Sequence, residues 1–456
     1  MPTVFIKTYG CQMNERDSES VAAQLAAKGY VLAASEREAD IVLLNTCSVR
    51  DAAEQKAFNK MKTLMHEARR QHPSRILGFL GCMAQARGQA LIDRLPDVDL
   101  VLGTQKFHRV GECLDDLLAG RRDQICDIAE EPGSEAAPSM HLTGRNGSPA
   151  VTAFVSIMQG CNQRCTFCIV PATRGPERNR TIPDIVDECR RLVTHGIREV
   201  TLLGQIVTSY ARREMTERNG CSPFVQLLEA VHEVEGLERI RFTAPHPKGY
   251  GDDLVEAYGR LSKLCEHAHI PVQSGSNRIL KLMHRGYTID RFLGLIEKLR
   301  RIRPNIGIST DLIVGFPGET EADFEESLAL AKAAKFDNAF MYKYSPRQGT
   351  PAADRTDQVP QPLKEERLAR LLQTVNEIAQ QKYQNLVGQR LQILVEGPSR
   401  RNPARLEGRT RCNKIMVIEG HEDCRGRLLD AQVIRAGSFT LYGDPRSIHL
   451  EDDRKT

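Results

Sequence analysis

Apolar runs alternate with helical stretches along the first part of the chain. The runs are VFIKTYGC (4–11), DIVLLNTC (40–47) and RILGFLGC (75–82). Helical periodicity lies between them, near 15–28 and 48–71. Strands that alternate with helices indicate βαβ units and a parallel sheet. Because parallel strands point the same way, Cys11, Cys47 and Cys82 are predicted to share the carboxyl edge, where open α/β sheets bind ligands.

A second alternating pattern begins at residue 151. Its candidate strands are 151–158, 198–204, 239–244, 267–272, 307–316 and 338–345. Its helical stretches are 183–195, 224–235, 252–264, 289–303 and 320–335. Six parallel strands with crossover helices are fewer than the eight of a closed barrel. We therefore predict a partial (βα)₆ barrel whose active side lies at the carboxyl ends of its strands.

The last part of the chain changes pattern after a charged helix at 362–388. Short β patterns follow in RLQILVEG, KIMVIEG, RLLDAQVIRAG and FTLYGD, separated by Gly, Pro and Asn. They predict a small OB-like antiparallel barrel. The predicted α/β chain thus has three domains and one linker rich in Pro, Gly, Ser and acidic residues. Their bounds are 1–126 for the parallel α/β sheet, 127–150 for the linker, 151–384 for the partial barrel and 385–451 for the small barrel.

Composition and hydropathy indicate where in the cell the protein is expected to be located. The 456 residues are 41% hydrophobic and carry a net charge of +4, which by itself does not require a nucleic-acid partner. No apolar run approaches the ~20 residues of a membrane helix. The N-terminus MPTVFIKTYGC also lacks the regions of a signal peptide. We expect a soluble cytoplasmic protein without a membrane partner, in which 13 cysteines serve metal or redox chemistry rather than disulfides.

Three cysteines crowd the stretch MQGCNQRCTFCIVP, just after the first strand of the partial barrel. Cys161, Cys165 and Cys168 follow a C-x₃-C-x₂-C spacing. Soft thiolates select zinc or iron–sulfur iron. A structural zinc site has four ligands, and no histidine lies near this loop. A cubane cluster held by three cysteines instead leaves one iron open for an amine and a carboxylate. A three-cysteine zinc loop remains the alternative.

The three strand-end cysteines form a second candidate set. Cys11, Cys47 and Cys82 each end an apolar run, in TYGC, LNTC and LGC. We predict that they hold a second cluster with one open iron. The alternative is that they are separate buried cysteines, which are common in protein cores. We interpret the remaining cysteines in that way: Cys113, Cys126, Cys189, Cys221, Cys265, Cys412 and Cys424.

Motifs along almost the whole chain resemble a known family. The C-x₃-C-x₂-C loop with Phe167 before its last cysteine resembles the radical S-adenosylmethionine enzymes. TYGCQMNERDSE, NTCSVR and LGCMAQ resemble the methylthiotransferases among them, and most closely the MiaB-type tRNA enzymes. The tail, with EGRT and NK, resembles a TRAM domain, a small RNA-binding barrel. GCQMN differs from the first-cysteine motifs of relatives that act on a ribosomal protein or on threonylcarbamoyl-adenosine.

The resemblance implies a reaction and its cofactors. It implies two [4Fe–4S] clusters and methylthio insertion at carbon 2 of an isopentenyl-adenosine beside the tRNA anticodon. Two molecules of S-adenosylmethionine would be used per turnover, one for methylation and one for the radical. The partners implied are tRNA and an electron donor such as flavodoxin or ferredoxin, and the chain is expected to be a monomer. The sulfur source stays open.

Other polar residues are candidates for cofactor contact. Gln205 follows the second barrel strand, where the superfamily places an acid or amide against the amino group of the cofactor. Gln273 and Ser274 end the fourth strand, and Asp311 lies in the fifth. Ordinary loop and strand-edge hydrogen bonds are the alternative for each. Asn14 is a candidate to face the second cluster.

Basic residues suggest two anion-binding regions. Arg174, Arg178 and Arg180 follow the cysteine loop, where they would hold phosphate or the cofactor carboxylate, or form a solvated surface. The tail clusters SRRNPAR (399–405) and GRTRCNK (408–414) are better candidates for phosphate contacts on RNA.

The sequence departs from the family pattern next to the cofactor site. LLGQ is followed by Ile206-Val207-Thr208, where the family usually has Asn-Val-Asn, so two polar side chains are replaced. Three functions therefore remain to be separated. They are the tRNA methylthiotransferase, the same chemistry on a ribosomal protein or on threonylcarbamoyl-adenosine tRNA, and a non-enzymatic metal-containing RNA-binding module.

Overall fold

The N-terminal domain is a six-stranded sheet in which every pair of neighbours is parallel. A computed structural model describes residues 1–48, 51–130, 140–142 and 150–445 of the chain. The strand order is β2-β1-β3-β4-β5-β6. The strands are β1 (Thr3–Tyr9), β2 (Val31–Leu32), β3 (Ile41–Thr46), β4 (Ile76–Gly81), β5 (Leu100–Leu102) and β6 (Ile125–Asp127). The helices are α1 (Gln12–Ala27), α2 (Asp51–Gln71), α3 (Cys82–Arg87), α4 (Gln89–Arg94) and α5 (Val110–Leu118).

The two central strands of this sheet are buried on both faces. Every residue of β3 and β4 is buried. Alternate residues of β3 enter different cores, since Val42 packs with Met61 of α2 and Ile41 packs with Val21 of α1. Helices on both faces explain why these strands are continuous apolar runs in the sequence.

The second domain contains the predicted six-stranded partial barrel. The described strands of this domain are the six of the barrel and the short pair β8 and β9: β7 (Thr152–Ser156), β8 (Met158–Gln159), β9 (Arg178–Asn179), β10 (Glu199–Leu203), β11 (Arg239–Phe242), β12 (His267–His269), β13 (Gly307–Val314) and β14 (Asn338–Lys343). Its helices are α6 (Val170–Arg174), α7 (Ile182–Thr194), α8 (Pro223–His232), α9 (Asp252–Arg260), α10 (Asn277–Leu282), α11 (Ile289–Ile302), α12 (Glu321–Ala334) and α13 (Gln361–Gln384).

The six barrel strands form two parallel halves. β11-β10-β7 make one three-stranded sheet and β12-β13-β14 make the other. A parallel bridge between Ile240 and Leu264 joins the halves, and one hydrophobic core runs through both. The short strands β8 and β9 pair antiparallel beside the first barrel strand, at the base of the cysteine loop. The predicted partial barrel is confirmed.

The tail is a closed five-stranded barrel, as predicted, with one strand more than the sequence patterns indicated. Its strands are β15 (Arg390–Pro398), β16 (Leu406–Thr410), β17 (Ile415–Ile418), β18 (Leu428–Ala436) and β19 (Thr440–Asp444). The order is β15-β16-β17-β19-β18, and the β17–β19 pair is parallel whereas the others are antiparallel. The additional strand is β16, whose residues LEGRT look like a basic loop in the sequence.

Two residues of the 408–414 basic cluster, Arg411 and Lys414, face the partial barrel. Arg411 Nε lies 2.6 Å from Glu266 Oε2, and Lys414 Nζ lies 2.6 Å from Asp337 Oδ1. Arg241 of β11 donates to the carbonyl of Thr410 at 2.8 Å. These contacts correct the expectation of phosphate binding for Arg411 and Lys414, which are already paired within the chain.

Most of the predicted linker lies outside the described residues, at 131–139 and 143–149. The described segment 140–142 lies between the first two domains. His141 Nδ1 is 3.1 Å from Glu19 of α1, and its Nε2 is 2.6 Å from Glu188 of α7. In the described parts of the chain, no helix is long and apolar enough to cross a membrane.

Candidate metal centres

The cysteine loop of the partial barrel begins at a position that only glycine fills without strain. Gly160 has φ +78°, and a Cβ there would lie 1.9 Å from the carbonyl oxygen of Pro176. Cys161 N donates to the carbonyl of Gly175 at 3.0 Å. A side chain at residue 160 would separate these two segments, so Gly160 sets the position of Cys161.

Three distant segments hold the middle of the loop. Thr166 donates through N and Oγ1 to the carbonyls of Met283 and Leu282, at 3.3 and 2.8 Å. Its own carbonyl accepts from Ala352 N at 2.9 Å. The ring of Phe167 packs edge-on against Phe316, with centroids 6.4 Å apart. These contacts fix the backbone on which Cys165 and Cys168 stand.

The thiols of this loop lie in a largely apolar environment. Burial raises the pKa of Cys161 to about 11 and that of Cys168 to about 12. Arg285 Nη1 lies 3.5 Å from Cys165 Sγ, while Nη2 of the same buried side chain donates to the carbonyl of Pro271 at 3.0 Å. Sequence reasoning missed Arg285. Arg285 lies 120 residues from Cys165 along the chain, and only the tertiary structure brings the two together.

The other three cysteines share the carboxyl edge of the N-terminal sheet, as predicted. Cys11 follows β1 and precedes α1, Cys47 follows β3, and Cys82 follows β4 and opens α3. The strands β1, β3 and β4 are neighbours in the sheet. Cys47 and Cys82 are buried and Cys11 is half-buried.

Hydrogen bonding and charge distinguish these three thiols. A hydrogen bond with Cys47 lowers the pKa of Cys11 to about 6, against the effect of burial, and the positive charge of Arg174 acts in the same direction. Burial raises the pKa of Cys82, which Arg174 opposes. Asn14 Oδ1 lies 3.3 Å from Cys11 Sγ. This polar side chain thus faces the cysteine set, where the sequence placed it.

The predicted basic patch after the cysteine loop is not a patch. Arg174 is 3% exposed and donates from Nη2 to Asp17 Oδ2 of α1 at 2.6 Å. Arg180 Nη1 lies 2.6 Å from Glu188 Oε2, and Arg178 donates to Gln159 Oε1 at 3.3 Å. These arginines contact carboxylates and an amide of the chain itself, so they do not form a solvated run.

The four residues predicted to contact the cofactor differ in their hydrogen-bond partners. Gln205 Oε1 is buried without a hydrogen-bond partner in the described residues. Ser274 is fully buried, and its hydroxyl accepts from Ser276 N at 3.2 Å, which occupies it in a turn. Gln273 has φ +72° and pairs through its backbone with β13. Asp311 Oδ2 lies 3.5 Å from His269 Nε2.

The donor set of both sites consists of sulfur. Within the described residues, no group of three or more His, Cys, Asp or Glu is placed to hold a metal ion directly. Two sets of three thiols on two strand edges suit iron–sulfur clusters, which take cysteine thiolates as ligands. The unpartnered acceptor of Gln205 suits a ligand with an amino group.

A partial βα barrel with this thiol loop defines a radical S-adenosylmethionine enzyme. The family model of the radical SAM superfamily matches residues 155–331. The model of an uncharacterised protein family, UPF0004, matches residues 3–103, and that of the TRAM domain matches residues 384–445. These matches place a TRAM domain on the five-stranded barrel.

Curated relatives cover nearly the whole chain. A tRNA-2-methylthio-N(6)-dimethylallyladenosine synthase of Opitutus terrae is 52% identical, over 97% of each chain. Proteins of the same name from Akkermansia muciniphila and Methylacidiphilum infernorum are 49% and 48% identical, over 98% of this chain and 99% and 95% of theirs. The chain belongs to the tRNA-2-methylthio-N(6)-dimethylallyladenosine synthase family. The family expected from the sequence motifs is confirmed, and with it the use of [4Fe–4S] clusters and S-adenosylmethionine.

Solved structures share the fold at low sequence identity. The radical S-adenosylmethionine methyltransferase TsrM from Kitasatospora setae, solved with tryptophan substrate and a SAM analogue, is 13% identical with a TM-score of 0.58. The match covers 83% of this chain and 89% of that one. This likeness supports the fold alone.

Proposed function

We propose that this protein inserts a methylthio group at carbon 2 of isopentenyl (dimethylallyl) adenosine next to the tRNA anticodon. The observation that carries the proposal is the pair of three-thiol sets, whose surroundings touch. Thr104 of the N-terminal domain donates from Oγ1 to the carbonyl of Thr173 at 2.6 Å, and Arg174 of the same turn reaches Asp17. Because the surroundings of the two sets are in contact, sulfur transfer at one set and radical formation at the other can act on the same bound base.

We assign one cluster to each of the two sets of three cysteines. In the proposal, Cys161, Cys165 and Cys168 hold the radical-forming cluster, and Cys11, Cys47 and Cys82 hold the auxiliary cluster. The first cluster, when bound, supplies the electron that cleaves S-adenosylmethionine to give the hydrogen-abstracting radical. Gln205 accepts a hydrogen bond from the amino group of the cofactor through its unpartnered Oε1.

The chain itself keeps water from the radical-forming cluster. Phe316 and Tyr344 form a buried aromatic group under Phe167 of the loop. Arg285, held by the carbonyl of Pro271, directs an N–H toward Cys165 Sγ. Hydrogen bonds to ligand sulfur and exclusion of solvent are among the factors that set a cluster potential.

For tRNA, the proposal uses the free side of the TRAM barrel. Arg400 and Arg401 are exposed in the loop between β15 and β16, where they can contact phosphates. Arg435 stacks on the ring of Tyr442 at 3.6 Å, which gives a flat surface suited to an unstacked base. We further propose that the chain acts as a cytoplasmic monomer that receives electrons from flavodoxin or ferredoxin.

Anaerobic reconstitution tests the proposal. The protein is loaded with iron and sulfide, incubated with S-adenosylmethionine, reductant and isopentenylated tRNA, and the nucleosides are analysed by mass. The wild type is expected to bind about eight irons and to form the methylthio nucleoside. Cys47→Ala is expected to lose the product while it still forms 5′-deoxyadenosine, and Cys168→Ala is expected to lose both.

Cys113→Ala is the matched control, because this buried cysteine belongs to the core of the N-terminal domain. It should retain both activities. Product formation by Cys47→Ala, or a wild type with a single cluster, would refute the assignment. Methylthio addition to a ribosomal protein or to threonylcarbamoyl-adenosine tRNA, with none on isopentenyl-adenosine, would change the substrate. Zinc without sulfide would indicate the non-enzymatic module.

A further inference from the structure

Arg174 belongs by sequence to the radical-forming loop but lies beside the other set of thiols. It ends α6, six residues after Cys168, and α6 packs on α3, which begins with Cys82. Its guanidinium crosses from the partial barrel to Asp17 of the N-terminal domain, with 2.6 Å between Nη2 and Oδ2. Both side chains of this pair are 3% exposed.

One end of this buried guanidinium is uncommitted. Nη1 of Arg174 is buried and has no hydrogen-bond partner in the parts of the chain that the structure describes. An unpaired buried donor is costly, so such a group marks a place for a ligand or an ordered water. Asp17 lies in α1, which directly follows Cys11, and α6 packs on α3, which begins with Cys82, so the guanidinium of Arg174 lies between the elements that carry two of the auxiliary thiols.

We propose that Arg174 donates a hydrogen bond from Nη1 to the auxiliary cluster and raises the reduction potential of that cluster. Reduction adds a negative charge, which a buried cation close to the cluster stabilises. Asp17 has the opposite effect, because its carboxylate neutralises part of the charge of Arg174. The radical-forming loop thereby supplies the counter-ion of the other cluster. This inference rests on the proposed assignment of Cys11, Cys47 and Cys82.

The test measures the potential of the auxiliary cluster alone. Redox titration followed by electron paramagnetic resonance is carried out in a protein with Cys161, Cys165 and Cys168 replaced by alanine. At the midpoint of this parent, Arg174→Gln is expected to lower the reduced-to-oxidised ratio about tenfold, which is about 59 mV for a one-electron couple. Asp17→Asn is expected to raise the same ratio.

The opposite signs distinguish this role from a structural ion pair. Either substitution removes the same interdomain contact, so a structural pair would lower stability in both variants and shift the potential in neither. Arg174→Lys keeps the charge and should change the ratio less than Arg174→Gln. The double variant Asp17→Asn/Arg174→Gln leaves no unpaired buried charge, so it guards against misfolding. Its ratio should fall below that of Asp17→Asn.

Arg190→Gln is the matched control, because Arg190 is an exposed arginine of α7 paired with Asp187 one helical turn away. It should leave the potential unchanged. Shifts of the same sign for Asp17→Asn and Arg174→Gln, or no shift for Arg174→Gln in a protein that holds the cluster, would overturn the inference. A parent that binds no cluster would instead overturn the assignment of the three cysteines.

Discussion

At the scale of single residues, the start of the cysteine loop depends on the absence of a Cβ atom at Gly160. The Cβ of an alanine at residue 160 would overlap the carbonyl of Pro176, and the backbone there is left-handed. We expect Gly160→Ala to lose the radical-forming cluster, because the loop must move away from Gly175 and left-handed backbone costs a further ~1–2 kcal/mol. Iron and sulfide counting should show about four irons instead of about eight.

Gly196→Ala controls for backbone strain without overlap. Gly196 has φ +91°, but a Cβ there meets no atom within 4 Å. This variant should lose some thermal stability and keep both clusters. An intact iron content in Gly160→Ala would show that contact with Pro176 does not set the loop.

Gln205 provides a second prediction at this scale. Its buried Oε1 has no partner in the described residues, so Gln205→Leu should leave the free energy of unfolding unchanged or increase it. The same substitution should weaken S-adenosylmethionine binding by about tenfold or more, since a buried hydrogen bond is lost. Calorimetric titration of the cluster-loaded protein and urea unfolding measure the two effects. Unchanged affinity, or a loss of stability with no loss of affinity, would assign Gln205 a structural role.

Single residues also show what the sequence could predict about the site. Each cysteine of the N-terminal set ends a strand, and parallel strands bring their ends together, so periodicity was sufficient to group them. Arg174 and Arg285 could not be assigned in this way, because their partners Asp17 and Cys165 lie 157 and 120 residues away along the chain. No local pattern encodes such contacts.

At the scale of elements, the small barrel is fixed to the larger one by a buried ionic group. Asp337, just before β14, accepts from Lys382 of α13 and from Lys414 of the tail. Asp337→Asn should cost about 3–5 kcal/mol, because the buried ammonium group of Lys414 and the half-buried one of Lys382 lose their counter-ion. Urea unfolding measures this loss of stability. The unfolding transition of the small barrel should shift to a lower urea concentration before that of the other domains.

Glu419→Gln is the control at the same scale. Glu419 is 74% exposed and pairs with Arg405 on the outer surface of the small barrel. Surface pairs contribute little, so the change in unfolding free energy should stay below ~1 kcal/mol. Equal losses for Asp337→Asn and Glu419→Gln would mean that the interface does not depend on the buried group.

Elements with a clear periodicity of apolar residues could be predicted from the sequence, whereas short elements of mixed composition could not. The strands of the N-terminal sheet and the long barrel helices follow apolar periods that burial enforces. β16 escaped prediction because Gly408, Arg409 and Thr410 carry turn and charge signals, while their pairing with β15 comes from the closed barrel. Arg411 and Lys414 of the 408–414 cluster were misinterpreted because their partners, Glu266 and Asp337, belong to another domain.

At the scale of the whole molecule, the first two domains are joined by buried charges from three segments. Arg16 of α1 lies 3.4 Å from Glu19 and 3.8 Å from Glu188. It also donates to the carbonyl of Met140 at 2.8 Å. The linker is therefore not only a tether, because its described part fills the interface that brings the two cysteine edges together. Single removals from such a group leave unpaired buried charge and are costly.

His141 makes this interface sensitive to pH. Burial alone would lower the pKa of this imidazole, but hydrogen bonds to Glu188 and Glu19 outweigh burial and raise it above 6.5, against a smaller opposing effect of Arg16. Arg180, paired with Glu188, is the other charge at the site. Because the folded protein holds the proton more tightly, protonated His141 contributes its full stability below the unfolded pKa of about 6.5. This contribution is lost as pH rises through the pKa of the folded protein.

We expect the free energy of unfolding of the wild type to exceed that of His141→Gln by about 1.5–3 kcal/mol near pH 6, and by less at pH 9. Thermal unfolding across that range measures the difference, with His421→Gln as control, since His421 is 82% exposed beside Asp423. A difference between wild type and His141→Gln that stays constant with pH would mean that His141 joins the two domains as a neutral side chain.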